Sequence, residues 1–296
     1  MLPSQQLAQF VADSKQLEAL CRELGRRGAT VHLKELVGGA LSFYAAAAIA
    51  RCGGLHIFVA EDRDAAAYLL NDFYNLLDES RICFFPSSYK RSIAYGGEDA
   101  QGVVQRTAAL AALRAHDDGY TVVCTYPEAL AERVADAETL RRDTIRVAVG
   151  DRTSPEVLVD ALVDAGFEKV DFVYEPGQYS LRGGIVDVFS FAESKPYRVD
   201  FFGDEVDSIR RFEISSQLSS DKLDHIEILP DLTAAASPSE RVSLARFAGE
   251  EATFWFFDAD FVLRRINDLR RKVVADLDDP KRIDSLLTSR NGLLSD

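Results

Sequence analysis

No apolar run in the sequence approaches the roughly 20 residues that a bilayer-spanning helix needs. Residues 1–9 also lack the basic stretch and apolar core of a signal peptide. Neither membrane insertion nor secretion is therefore expected. Cysteine is scarce: Cys21, Cys52, Cys83 and Cys124 are scattered and form no CxxC pair, which argues against a disulfide framework and a cysteine metal site alike. Cys83 and Cys124 sit in apolar, strand-like runs, where a free thiol behaves as a small hydrophobe, and a reducing cytoplasm fits that usage. The four histidines (His32, His56, His116 and His225) are as dispersed, with no HxxxH spacing for a metal. No GxSxG nucleophile turn is present. Basic residues are short as well, 34 Lys and Arg against 48 Asp and Glu, a formal charge of −14. Duplex binding draws much of its affinity from phosphate neutralisation, so the overall field opposes it. A local patch made by Lys90, Arg91 and the arginines of Arg264–Arg271 is the route left open.

What is present is the composition of a folded protein: 47% hydrophobic and 28% charged residues over 296 positions, enough for two or three cores. The first part alternates helices and near-continuous apolar strands. A leading helix is expected over Gln5–Arg27, a strand at Thr30–Leu33, a helix over Leu41–Cys52 and a buried strand at Leu55–Ala60. A helix capped by Asp62 runs to about Leu77, and a strand follows at Ile82–Phe85. Beyond it come a helix over Asp99–Ala115, a strand at Thr121–Tyr126 and a short helix at Pro127. This order predicts an α/β fold with a parallel sheet covered on both faces. A strand at Thr144–Val149 and a helix opened by Ser154 lead into a stretch where the period falls to two. Strands are expected at Val170–Tyr174, Gln178–Arg182, Ile185–Phe189, Tyr197–Phe202 and Glu205–Phe212, separated by Gly-rich turns. The expected organisation is an α/β first half at 1–138, a β-rich α+β insert at 139–219, and the remainder of the α/β domain at 220–296. In that remainder, mixed α/β structure resumes from Ile226, with a strand at Ala252–Phe257 and a helix at Phe261–Ala275. The tail Lys281–Asp296 carries no capping or turn chemistry, as in a chain cut from something longer.

Leu36–Ser42 has the outline of a nucleotide-binding turn. Such a loop needs glycines so that backbone amides can wrap phosphates, a Lys for the β/γ charge, and a Ser or Thr for magnesium. Gly38 and Gly39 are there and Ser42 keeps its type, but Ala40 replaces a glycine and Leu41 stands in the Lys position. Nucleotide binding is expected to be weak or absent, with the turn degenerate and no cofactor held by this stretch. Asp258 and Asp260, after an apolar strand, then read as helix-capping residues rather than magnesium ligands. No catalytic residue is assigned.

Two hairpins carry the strongest signal. Gly177-Gln-Tyr-Ser-Leu-Arg-Gly-Gly-Ile-Val-Asp-Val-Phe189 turns at Gly183-Gly184, and Tyr197-Arg-Val-Asp-Phe-Phe-Gly-Asp-Glu-Val-Asp207 turns at Gly203-Asp204. Alternation points Phe189 and Phe202 inward and leaves Tyr179 open between core and surface. Both hairpins resemble the UvrB-like region shared by the excision-repair protein UvrB and the transcription-repair coupling factors (Mfd). The order α/β half, β-rich insert, α/β remainder resembles that family's domains 1A, 2 and 1B. Leu41 and the short loop Pro86–Glu98 are departures that the coupling factors share.

The resemblance implies a non-catalytic module that recruits UvrA, through the insert, to RNA polymerase stalled at DNA damage. It implies that polymerase, DNA, ATP and magnesium are engaged by other parts of a longer, ATP-driven translocase. By position it assigns Arg182 and Lys169 as UvrA contacts, with Tyr179 and Gly183 beside them. Ser180 stands where UvrB has a further arginine, and Glu168 stands where some relatives are basic. The expected fragment is cytoplasmic and monomeric, without a membrane partner. The alternative is a nucleotide-binding fragment of a UvrB-like ATPase or helicase.

Overall fold

The computed structural model describes residues 11, 14–88, 100–232, 237–276 and 287. The candidate basic residues Lys90 and Arg91, the loop beyond Ser88, residues 5–10, 12 and 13 of the expected leading helix and most of the tail 281–296 lie outside the described residues. The chain divides into two compact units, residues 1–134 with 242–296, and residues 135–241.

Elements are numbered along the chain. The first unit holds α1 (Lys15–Leu24), α2 (Ala40–Cys52), β1 (Gly54–Val59), α3 (Arg63–Leu76), β2 (Ile82–Phe84), α4 (Ala100–Arg114), β3 (Tyr120–Thr125) and α5 (Pro127–Ala131). It resumes with α8 (Leu244–Ala248), β14 (Thr253–Phe256) and α9 (Ala259–Asp276). Its four strands form a parallel sheet in the order β14-β1-β3-β2. Phe58 lies opposite Trp255 on one neighbour and Cys124 on the other. The Phe58 ring stacks on Trp255 at 5.0 Å and meets Phe73 of α3 at 4.7 Å. Ala45, Ala48 and Ile49 of α2 and Leu17 and Leu20 of α1 close that core. The helix starts follow the sequence. Ser14 caps α1, Asp62 accepts from the Ala65 amide at 2.8 Å, and Asp258 accepts from the Phe261 amide at 2.8 Å.

The strand expected at Thr30–Leu33 does not form. Val31 and Leu33 each stay 40% exposed among polar neighbours, and Glu35 turns the chain at φ +62°. Two alternating apolar residues cannot hold a strand that has no sheet face to bury.

The second unit begins with β4 (Val134–Ala135), α6 (Ala137–Asp143), β5 (Ile145–Ala148) and α7 (Pro155–Asp164). It continues with β6 (Glu168–Lys169), β7 (Gln178–Arg182), β8 (Ile185–Val188), β9 (Tyr197–Phe201), β10 (Val206–Phe212), β11 (Ser219–Leu223) and β12 (His225–Ile228), and ends at β13 (Arg241–Val242). Six strands make a sheet ordered β11-β10-β9-β8-β7-β6. It is an antiparallel meander except for β6, which runs parallel to β7. Leu158 and Leu162 of α7 pack with Tyr179, Val186, Val188, Val199 and Ile209 from the sheet.

Three details differ from the sequence expectation. Ile226 does not resume the α/β domain: β12 pairs antiparallel with β5, so this stretch completes the second unit. The strand expected at Val170–Tyr174 does not form, and only the two residues just before it, Glu168–Lys169, make β6. Side chains take over its backbone instead. Gln178 Oε1 accepts from the Tyr174 and Glu175 amides at 2.9 and 3.0 Å, and Ser180 Oγ donates to the Asp171 carbonyl at 3.0 Å. Phe202, expected in the core, is 84% exposed, because β9 ends at Phe201 and Phe202 begins the tip of the hairpin, its amide donating to the Glu205 carbonyl.

Candidate docking surface

The β7–β8 hairpin is built around a carboxylate. Asp187 is fully buried, and both of its oxygens accept from arginines. Arg198 grips it bidentately, Nε to Oδ1 at 2.7 Å and Nη2 to Oδ2 at 2.8 Å. Arg198 also donates to the Gln217 carbonyl at 3.1 Å and lies 4.6 Å over the Phe212 ring. The Asp187 carboxylate holds the Arg198 guanidinium above its ordinary pKa. Arg182 donates through Nη2 to Asp187 Oδ2 at 2.5 Å and through Nη1 to the Asp171 carbonyl at 2.8 Å. Its guanidinium stacks 4.9 Å from the centroid of Phe172, a ring that is itself 48% exposed. Arg198 is 15% exposed and Arg182 37%, so one arginine is structural and the other reaches solvent.

The assigned contact residues fall on both sides of this division. Lys169 is exposed on β6, the strand at the end of the sheet order. It lies in register with Tyr179, three residues before Arg182 along β7, so alternation turns the two side chains to opposite faces. Arg182 and Lys169 are thus both accessible, on the adjoining strands β7 and β6. Tyr179 belongs to the core, so its ring packs inside the unit and does not lie beside Arg182 at the surface. Gly183 takes φ +61° with open space where a side chain would be, and its contribution is the turn itself. Sequence reasoning missed Phe172 as the aromatic partner of Arg182. The signal was spacing: a residue ten positions upstream meets Arg182 only because the Asp171 carbonyl is drawn to the hairpin. Tyr174, 56% exposed, flanks the buried Val173 on the same loop.

The turn at Leu36–Ser42 also has a definite geometry. Gly38 takes φ +60° and Gly39 caps α2, whose first turn carries no charged residue. Leu41 is half-buried, and Ser42 is buried with its Oγ donating to Asp72 Oδ2 on α3 at 2.6 Å. The Ser42 hydroxyl is thus tied to a carboxylate, and the side chain beside it is apolar. Among the described residues there is no cluster of three His, Cys, Asp or Glu placed to hold a metal ion, and no helix long and apolar enough to cross a membrane.

Residues 145–233 match the family described as the UvrB interaction domain. The chain is similar to the transcription-repair-coupling factor of Escherichia coli (strain K12), 34% identical over 121 residues, which are 41% of this chain and 10% of that relative. It is also similar to the coupling factor of Bacillus subtilis (strain 168), 25% identical over 233 residues, 78% of this chain and 20% of the relative. The UvrABC system protein B of Thermotoga maritima is 27% identical over 230 residues, 72% of this chain and 34% of the relative. The chain therefore spans between a tenth and about a third of the relatives it matches. In its interaction domain and in these relatives, the chain is similar to transcription-repair coupling factors and to the UvrABC system protein B.

Proposed function

We propose that this chain is a non-catalytic docking module that binds UvrA through residues 145–233. In a longer protein it would bring UvrA to RNA polymerase stalled at DNA damage, with polymerase contact, DNA contact and ATP- and magnesium-driven translocation supplied elsewhere. The observation that carries the reading is the accessible Arg182, with exposed Lys169 on the adjoining strand, in the sheet that matches the UvrB interaction domain. In a chain of formal charge −14, exposed cations within the matched domain favour a partner presenting carboxylates. Arg182 enters such an interface held by Asp187 and the Asp171 carbonyl, which lowers the entropy lost when a partner binds.

The absence of catalysis belongs to the same proposal. It is supported by Leu41 at the Lys position and by the Ser42–Asp72 hydrogen bond. Two calorimetric titrations test it. UvrA should bind the chain saturably, and Arg182→Ala with Lys169→Ala should weaken that binding; an unchanged affinity in the double variant rejects the surface, and no binding by the unaltered chain rejects the function. ATP with magnesium should give no saturable heat, and micromolar binding would favour the nucleotide-dependent alternative.

A further inference from the structure

The contact at Arg182 is a composite, and its apolar half is a residue that neither the hairpin motifs nor the family resemblance assigns. Resting on the docking reading above, we infer that Phe172 is a UvrA-binding residue acting as one unit with Arg182, and that Asp187 is the positioning residue that holds the unit together. The complementary feature on the partner is a carboxylate next to an apolar side chain.

Both Nη atoms of Arg182 already donate inside the unit, one to Asp187 and one to the Asp171 carbonyl. The guanidinium therefore cannot swing out as a free fork without giving up a bond to a fully buried carboxylate. What it presents instead is a fixed cation whose plane is packed against an aromatic ring. That ring is half exposed although it sits beside Val173, which is completely buried. The carbonyl of Asp171, adjacent to Phe172, is the one that binds Arg182 and Ser180, so the loop is pinned at the residue that places the ring. An exposed aromatic held rigidly next to a cation is the composition of an interface anchor. The Arg182 charge, 37% exposed, sets the sign of the partner feature. Asp187 reaches the partner only through Arg182, being itself buried.

The test is UvrA affinity of the purified chain for a set of variants, with thermal melting as the check on folding. Phe172→Ala should weaken binding at least tenfold with an unchanged melting temperature, and Phe172→Tyr should retain binding within twofold. Combining Phe172→Ala with Arg182→Ala should weaken binding little more than Arg182→Ala alone, because each loses the same unit. Asp187→Asn should weaken binding when Arg182 is present and add nothing once Arg182 is alanine; a purely structural role would add its loss in both backgrounds. Phe172→Ala within twofold of the unaltered chain, while Arg182→Ala weakens binding, overturns this inference and leaves the docking reading standing. Equal binding by all variants, including Arg182→Ala, overturns both. If Asp187→Asn fails to fold, the Phe172 variants, which alter an exposed ring, still decide the inference.

Discussion

The two arginines on Asp187 should differ sharply in what they contribute to stability, and the structure gives the order. Removing Arg198 takes away two charge-assisted hydrogen bonds at 2.7 and 2.8 Å, a bond to the Gln217 carbonyl, and a guanidinium packed on Phe212. The fully buried carboxylate is then left with one partner that is partly in water. Breaking a buried pair on one side costs about 3–5 kcal/mol. The lower end applies here because Arg182 remains, so Arg198→Ala should cost about 3 kcal/mol. For a unit of this size that is a fall in melting temperature on the order of 10–20 °C. Removing Arg182 leaves the bidentate Arg198 in place and opens a position where water can reach the carboxylate, so Arg182→Ala should cost about 1 kcal/mol. Urea unfolding followed by circular dichroism measures the totals. Hydrogen exchange at the amides of β8 and β9 locates the loss, which Trp255 fluorescence cannot do because the sole tryptophan lies in the other unit. Equal costs for the two variants, or a larger cost for Arg182→Ala, would refute the division into a structural arginine and a presenting one.

Other expectations rest on single contacts. Gly177→Ala places a Cβ 2.6 Å from the Phe191 ring at a residue with φ +87°, so strain and overpacking together should destabilise by about 2 kcal/mol or more, read by thermal melting. His56 accepts from Trp255 Nε1 through Nδ1 at 3.1 Å while its other nitrogen meets the Gly53 carbonyl at 2.9 Å, and burial holds its pKa below the ordinary value. A histidine depressed in the fold stabilises fully above its unfolded value of about 6.5 and loses that contribution as pH falls below it. Urea unfolding followed through Trp255 should therefore show stability dropping from pH 7.5 to 5.5, with a smaller drop in His56→Gln. Leu41→Lys should not restore ATP binding, because Ser42 stays bonded to Asp72; a saturable calorimetric signal would overturn that.

The parts of this fold that could be read in the sequence are those in which one periodicity decides the outcome. Leu55–Ala60 and Thr121–Tyr126 are apolar on both faces and became β1 and β3 at the centre of the parallel sheet. The hairpins were legible because Gly183 and Gly203 supply the positive φ that their turns need. The misread stretches are those where side chains or neighbours far along the chain outweigh local pattern. Val170–Tyr174 alternates like a strand, yet Gln178, Ser180 and Arg182 satisfy its backbone and fold it into a loop. Alternation placed Phe202 inside because it assumed that β9 continued one residue further than it does.

The docking surface shows the same division in its chemistry. Arg182 was legible from its motif, but its working state was not. Asp187 reads as one more alternating strand residue until the fold brings Arg198 against it from the next strand. Phe172 carries no motif at all. It becomes a candidate contact only because the Asp171 carbonyl is the acceptor that Arg182 selects. A surface of this kind is specified by what immobilises its exposed groups, and those determinants are buried, polar and distant in sequence. The arginine that a motif identifies is therefore the visible end of a network whose other members, Asp187 and Arg198, set how it meets a partner.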